Sequence, residues 1–489
     1  MTSAEPVLTI SGQRVRPVPL SVFAPPYRVL SVGILASITA IAFEGMAVPT
    51  VLPAIATSLG GLDAYGWAFS AFLLTSLLGA ISAGQTGDRH GPGRPARLGL
   101  LSFGAGLLVA ALAPIWPVLL LGRALQGFGA GSLMSVAYIC VGRGYPEQLR
   151  PRLLALMSSA WVLPALVGPA LAGQIAEHAS WRWVFVCILP LLISGAVLLV
   201  RSLGQLPPAT PEPSKPPLPD RLPAALRLAV GVGLVLFALG LDALLLAVPL
   251  AVGGAILAVP AFHSLLPEGT PRLKPGLPAA VGVRALLACG FFSCEALIPL
   301  GLATLRGLPP STVGFALTAA ALTWVGGSWL QDRAESRTGG RRARRTARIR
   351  AGLGLIVLGV SCVALVVLWP TAPVELGVVA WGIAGLGMGL AYPGTTLNAL
   401  GEATSGQEGF ASSALQVAEM VSVALGTGGI GALLALAAHL DLELAAGLSW
   451  GFGLSDGAAL LALAASGRLS QQVGQPAEMM PARPGGPGG

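Results

Sequence analysis

The sequence predicts an all-α polytopic membrane protein of fourteen transmembrane helices: two six-helix bundles with a two-helix insertion between them. Three observations carry that prediction. Of 489 residues, 54% are hydrophobic and only 10% are Asp, Glu, Lys or Arg, against roughly a quarter charged in an average soluble domain; mean hydropathy is +0.77. The apolar residues form long continuous runs, and landmarks of the first six runs return in order in the last six. The composition excludes a soluble enzyme, a nucleic-acid-binding domain and a disordered chain. The run length excludes a transmembrane barrel, whose strands alternate polar and apolar residues over ~10 positions.

Taken in order, the runs fall at 27–56, 66–86, 96–114, 116–141, 152–176, 182–200, 223–241, 243–262, 279–304, 311–331, 350–369, 375–398, 410–438 and 444–466. Each is near the length that one crossing of ~30 Å requires. The expected organisation is a cytoplasmic tail (1–26), a first bundle (27–204), a Pro-rich linker (205–222), an inserted hairpin with its loop (223–278), a second bundle (279–467) and a disordered cytoplasmic tail (468–489). The first tail, with Arg14 and Arg16, does not read as a cleaved signal peptide.

Basic residues set the orientation. With the N-terminus inside, the loops carrying Arg89, Arg94 and Arg97, then Arg143, Arg150 and Arg152, then Arg201, Lys215 and Arg221, then Arg272 and Lys274, and the run Arg333–Arg350 all fall inside. Only Arg182 and Arg306 remain in outside loops, so both termini are expected in the cytoplasm. The net charge of +8 thus belongs to cytoplasmic loops rather than to a nucleic-acid partner. Trp67, Trp116, Trp181, Trp183 and Trp369 sit at outer ends of spans, where interfacial anchors are expected.

The repeat is read from three landmarks. Arg123-Ala-Leu-Gln126-Gly127-Phe-Gly129-Ala-Gly131 on the fourth span matches Trp381-Gly-Ile-Ala384-Gly385-Leu-Gly387-Met-Gly389 on the twelfth. Ser-Ser-Ala follows each, at Ser158 and Ser412, and Gly87-Asp88-Arg89 corresponds to Gln331-Asp332-Arg333. Repeated bundles with a site at their interface are a secondary-transporter design.

Ionisable groups inside spans are costly and mark function. Five stand out: Glu44, Arg123, Glu295, Glu419 and Asp456. Glu44, Arg123 and Glu295 lie ~12–18 Å from the outer ends of their spans and can share a layer; Glu419 is expected deeper inside. Burial raises a carboxyl pKa and a nearby Arg lowers it, so a Glu between those influences can exchange protons as water access alternates. The competing reading is a structural ion pair of Glu44 with Arg123. Asp242 reads as a solvated loop residue. The five cysteines (Cys140, Cys187, Cys289, Cys294, Cys362) lie in apolar runs and the four histidines are scattered, so neither a disulfide framework nor a metal site is predicted.

At this point the sequence resembles the major facilitator superfamily and, within it, the 14-helix drug:proton antiporter group. Gly84-Gln-Thr-Gly87-Asp88-Arg89-His-Gly91 is similar to the signature between helices two and three, with Pro92 and Gly93 where basic residues are usual. Arg123, Gln126, Gly127 and Gly129 resemble the fourth-helix signature. Pro164-Ala-Leu-Val-Gly168-Pro169-Ala-Leu-Ala172-Gly173 resembles the antiporter signature, and Phe43-Glu44 through Leu52-Pro53 the first-helix one. The resemblance implies a major facilitator fold and an alternating-access transporter without cofactor or catalytic residues. It implies that Arg123 takes part in proton coupling, and that Gly84, Asp88, Arg89, Gly91, Gly168 and Pro169 serve the conformational switch. With the buried acids, the proton-coupling set is Glu44, Arg123, Glu295 and Glu419; the expected cavity residues are Glu44, Gln126, Glu295, Trp381 and Asn398. The expected function is proton-coupled export of amphipathic drugs or secreted metabolites, with antibiotic resistance as a consequence, by a monomer in the cell membrane whose partners are substrate, protons and lipid. An uptake symporter or a lipid or siderophore transporter on the same fold is the alternative, and a non-transporting receptor the remote one.

Overall fold

The structure is a computed structural model that describes residues 21–146, 149–203, 221–241, 243–338, 342–402 and 408–470. Asp242, most of the Pro-rich linker and most of both tails lie outside these residues. Sixteen α-helices make up the described chain: α1 (Arg28–Leu59), α2 (Trp67–His90), α3 (Gly93–Ala111), α4 (Trp116–Gly144), α5 (Arg150–Ser159), α6 (Val162–His178), α7 (Trp181–Val186), α8 (Leu189–Leu203), α9 (Leu222–Leu239), α10 (Leu244–Leu265), α11 (Leu277–Thr304), α12 (Pro310–Thr338), α13 (Arg342–Leu368), α14 (Val374–Glu402), α15 (Glu408–His439) and α16 (Leu444–Ala465). No strand occurs among the described residues.

Two expected single spans are each broken into two helices. The breaks fall at residues 160–161 and 187–188, just ahead of Pro164 and Pro190. A proline has no N–H for the carbonyl one turn back, so it is accommodated in the first turn of a new helix. Pro49 and Pro53 in α1, Pro169 in α6 and Pro299 in α11 are instead carried inside continuous helices. Twelve described segments are long and apolar enough to cross a bilayer. The other two of the fourteen expected spans are α3, 19 residues long and opening with Arg94 and Arg97, and the broken α5–α6 pair. The chain is a multi-pass membrane protein; fourteen remains the sequence expectation for the number of crossings.

The packing follows the sequence repeat. α4 lies against α2 and α3, as α14 lies against α12 and α13; α1 packs on α6 and α8, as α11 packs on α15 and α16. A Cβ at Gly127 would meet the Phe72 carbonyl oxygen at 2.0 Å and one at Gly385 that of Ala320 at 2.2 Å, so the matched glycines let neighbouring backbones touch. The inserted α9 leans on α2 and α15, and α10 on α9. α10 turns outward, with Leu245 88% and Ile256 67% exposed, a surface suited to lipid.

The tryptophans divide. Trp183 and Trp369 are exposed, as anchors should be, but Trp116 and Trp181 are buried. Trp181 donates from Nε1 to Ser58 Oγ at 3.1 Å and so ties α7 to α1. These two are packing residues, a correction to the expected interfacial role. The two arginines of the arginine-poor loops serve as caps: Arg182 donates to Ala113 O, and Arg306 donates to Val366 O, Trp369 O and Ala372 O at 2.5–2.9 Å. Arg306→Ala strips the α13 terminus of its donors and is expected to cost about 1–3 kcal/mol, read as a lower melting temperature in detergent with the helical content unchanged.

Candidate functional site

In the first repeat the charges meet in one cluster. Glu44 of α1 and Arg123 of α4 form an ion pair in which the acid is fully buried and the arginine nearly so. Arg123 also donates from Nη1 to Gln126 Oε1 at 2.7 Å and from Nε to the Ala68 carbonyl of α2 at 2.9 Å. Its guanidinium lies 4.4 Å from the centre of the Phe72 ring, a cation–π contact. One guanidinium thus joins α1, α2 and α4. Glu44 Oε2 and Gln126 Nε2 are buried with no hydrogen-bond partner among the described residues, so the cluster is only partly satisfied in this conformation.

The second repeat holds a pair that sequence reasoning missed. Arg284 of α11 donates from Nε to Glu419 Oε2 of α15 at 2.9 Å, and from Nη1 to Tyr392 O, Thr395 Oγ1 and Thr396 Oγ1 of α14 at 2.9–3.1 Å. Its guanidinium lies over the Tyr392 ring, while the Tyr392 hydroxyl donates to Glu419 at 3.1 Å. Glu419 was expected; its two partners were not. Arg284 stands seven residues into α11, from Leu277 to 284, or ~10 Å by helical rise. The signal was present: apolar residues flank it on both sides, in the same helix as Glu295.

Glu295, eleven residues further along α11, is partly exposed and makes no hydrogen bond or ion pair among the described residues. It follows Phe291 and Phe292 by one helical turn and so shares their face. Those rings open an aromatic row: Trp381 stacks on Phe291 (4.6 Å, 19°), Phe291 meets Trp324 edge-on at 5.5 Å, and Trp324 meets Tyr392 at 5.5 Å. Trp381, expected in the cavity, is fully buried behind Phe291 in this conformation.

Other candidates lie apart from these clusters. Asn398 is buried and accepts from Arg345 Nη1 at 3.3 Å, within a charge cluster where Arg345 and Arg348 both pair with Glu335. Asp456 accepts from Ser361 Oγ of α13 at 3.0 Å, its Oδ1 buried without a partner among the described residues. Gly84 and Arg89 lie on α2, and Gly91 caps that helix with φ 82° and ψ 165°, a conformation only glycine holds without strain. The side chain of Asp88 lies outside what the structure describes. Among the described residues no group of three or more His, Cys, Asp or Glu could hold a metal.

Gly168 packs on α1 within the first repeat, and Pro169 sits where the two repeats meet. A Cβ at Gly168 would touch Met46 of α1 at 3.3 Å, and Pro169 O lies 2.2 Å from where a Cβ at Gly314 of α12 would be. Nearby, a Cβ at Gly173 would fall 2.3 Å from Pro310 O, and Glu177 accepts from the Ser311 N–H at 3.4 Å. On the other flank Ser70 Oγ donates to Ala424 O of α15 at 2.8 Å, and Tyr65 OH to Ala296 O at 3.2 Å. These seam contacts gather toward the arginine-poor end, where α1, α6 and α11 finish and α2 and α12 begin.

Comparison with known proteins agrees with this architecture. The chain is 28% identical over 437 residues to a probable multidrug-efflux transporter of Mycobacterium tuberculosis, covering 84% of this chain and 89% of that protein. It is 27% identical over 409 residues to an uncharacterized transporter of Escherichia coli, covering 80% and 86%. Among solved structures, a POT family transporter in complex with 5-aminolevulinic acid superposes with a TM-score of 0.67 at 16% identity, covering 93% of this chain and 99% of that one, which speaks to the fold. The family model of the Major Facilitator Superfamily matches residues 33–427, and with those residues spanning the seam and both ion-pair clusters, the chain belongs to the Major Facilitator Superfamily.

Proposed function

We propose that this transporter exports small amphipathic organic molecules, cations foremost, in exchange for protons, by alternating access in the cell membrane. The arginine-rich end is cytoplasmic on this reading, by the distribution of basic residues, and the sealed arginine-poor end faces outward. The observation that carries the proposal is Glu295: a carboxylate in mid-span, partly exposed and without a bonded partner among the described residues, beside the aromatic surface of Phe292 and Trp324. A proton and an organic cation both neutralise that charge, and only one can do so at a time. Competition of this kind is what an antiporter requires. The relatives named as multidrug-efflux transporters support the direction.

Glu44, Arg123 and Gln126 form the companion site in the first repeat, closed in this conformation and reached by protons when the outer seam parts. Phe292 and Trp324 offer the apolar body of a substrate a wall, and the cation–π attraction of such rings favours a positive head. The test is ethidium transport into everted membrane vesicles energised by an imposed proton gradient. Wild type accumulates the dye and discharges the gradient on its addition; Glu295→Gln lowers the initial rate at least about tenfold, the worth of ~1.4 kcal/mol. Dye movement that ignores the gradient, or that is unchanged in Glu295→Gln, sinks the proposal.

A further inference from the structure

Arg284 has no assigned task. It is buried more deeply than the acid it holds, with side-chain exposures of 6% for Arg284 and 21% for Glu419, and it binds groups from two other helices. Arg123 and Arg284 each stand seven residues into their helices, α4 from 116 and α11 from 277. Those helices start at opposite ends of the bundle. The Glu44–Arg123 pair therefore lies toward the sealed arginine-poor end and the Arg284–Glu419 pair toward the arginine-rich end. Exposure agrees: Glu44 is fully buried while Glu419 keeps a surface open.

We propose that Arg284 is the counter-charge of a second proton-exchange site, at which Glu419 releases its proton toward the arginine-rich face. The inference rests on the antiport reading and deepens it by giving entry and exit to different pairs. In the step itself, the O–H bond of the protonated Glu419 carboxyl breaks and the proton passes to water at that face. The carboxylate formed is held by Arg284 Nε and the Tyr392 hydroxyl, and Arg284 keeps its own charge throughout. Without Arg284 Nε and the Tyr392 hydroxyl the carboxylate would have no hydrogen-bond donor among the described residues, and a charge left unpaired inside a span is costly. The titratable groups that face Glu419 are Arg284 from α11 and Tyr392 from α14; among the described residues none from α2, α9 or α16 bonds to it. Arg284 acts through Glu419 and is a positioning residue. The three hydrogen bonds from its Nη1 to α14 fix it in place when Glu419 is neutral, so the charge stays ready for the returning carboxylate.

The experiment is an infrared pH titration of the purified full chain in lipid nanodiscs, which needs no substrate. Glu419→Gln identifies the carboxylic-acid C=O band that belongs to this residue. In Arg284→Ala the midpoint of that band is expected about one pH unit or more above wild type. Arg284→Lys, which keeps the charge, restores it to within about half a unit. Tyr392→Phe moves it upward by a smaller step, and this variant and the Lys variant carry the test if Arg284→Ala does not insert. A band absent from wild type, or a midpoint that stays put in Arg284→Ala or Tyr392→Phe, overturns the inference. Failure of the antiport reading shows separately, as gradient-independent ethidium movement in vesicles.

Discussion

Arg123→Ala is expected to abolish gradient-driven ethidium transport, by at least about a hundredfold, and to destabilise the protein by about 3–5 kcal/mol. Both effects follow from what the guanidinium holds. Among the described residues it is the only bonded partner of the Glu44 carboxylate, and removing one member of a buried pair leaves the other charge uncompensated in a low-dielectric interior. It also releases Gln126 and the Ala68 carbonyl, so the α1–α2–α4 junction loses its shared donor. Vesicle transport measures the first effect and thermal unfolding in detergent the second. The two separate in a double variant, Glu44→Gln with Arg123→Gln. Removing both charges is expected to recover most of the stability, since no buried ion is left alone, yet to leave transport as low as in Arg123→Ala. Recovery of transport in the double variant shows that the pair is an architectural brace.

The second large effect is expected from Gly314→Val. A Cβ there would lie 2.2 Å from Pro169 O, and the obstacle is backbone, which cannot swing aside as a side chain could. The α6–α12 crossing must then part, and the arginine-poor end can no longer seal. Transport is expected to fall at least about tenfold, the equivalent of ~1.4 kcal/mol. A cysteine placed at Thr427, 1% exposed in the sealed conformation, becomes reactive to an impermeant maleimide in the Gly314→Val background, with Cys187 removed because it is exposed. Gly326→Val on the same helix is the control: nothing lies within 4 Å of its Cβ position, so transport within about twofold of wild type is expected. An unreactive Thr427→Cys in the Gly314→Val protein is the outcome that contradicts this account of the seam.

How much of this was legible in the sequence depends on what a linear pattern can encode. Glu44 and Arg123 stood out because an ion in an apolar run is costly wherever it points, and the repeat followed from matched glycines. Depth along a helix also reads off, at a fixed rise per residue. Rotation about the axis and the identity of the facing helix do not. That is why Asn398 was expected in the cavity but bonds to Arg345. It is also why Trp181, at a span end, packs inward on Ser58, and why Trp381 lies behind Phe291. Arg284 escaped for a related reason: its depth, seven residues into α11, says nothing of the acid and the ring it would face. Tyr392 escaped because it is neutral and gains meaning only from the two charges brought to it.

α15 carries Glu419 and, five and eight residues later, Ala424 and Thr427, which meet Ser70 of α2 and Gly66 just before that helix. Roughly two turns of continuous helix, ~12 Å, therefore separate an ionisable group from the outer seal. Thermodynamic linkage makes the two reciprocal. If protonating Glu419 shifts the balance between sealed and parted by some factor, parting the seal must change the proton affinity of Glu419 by the same factor. A ligand that wedges between α2 and α15 from outside would then bind with a pH dependence of its own while touching no titratable group. Its affinity measured across pH would report the strength of the coupling without any substrate being moved.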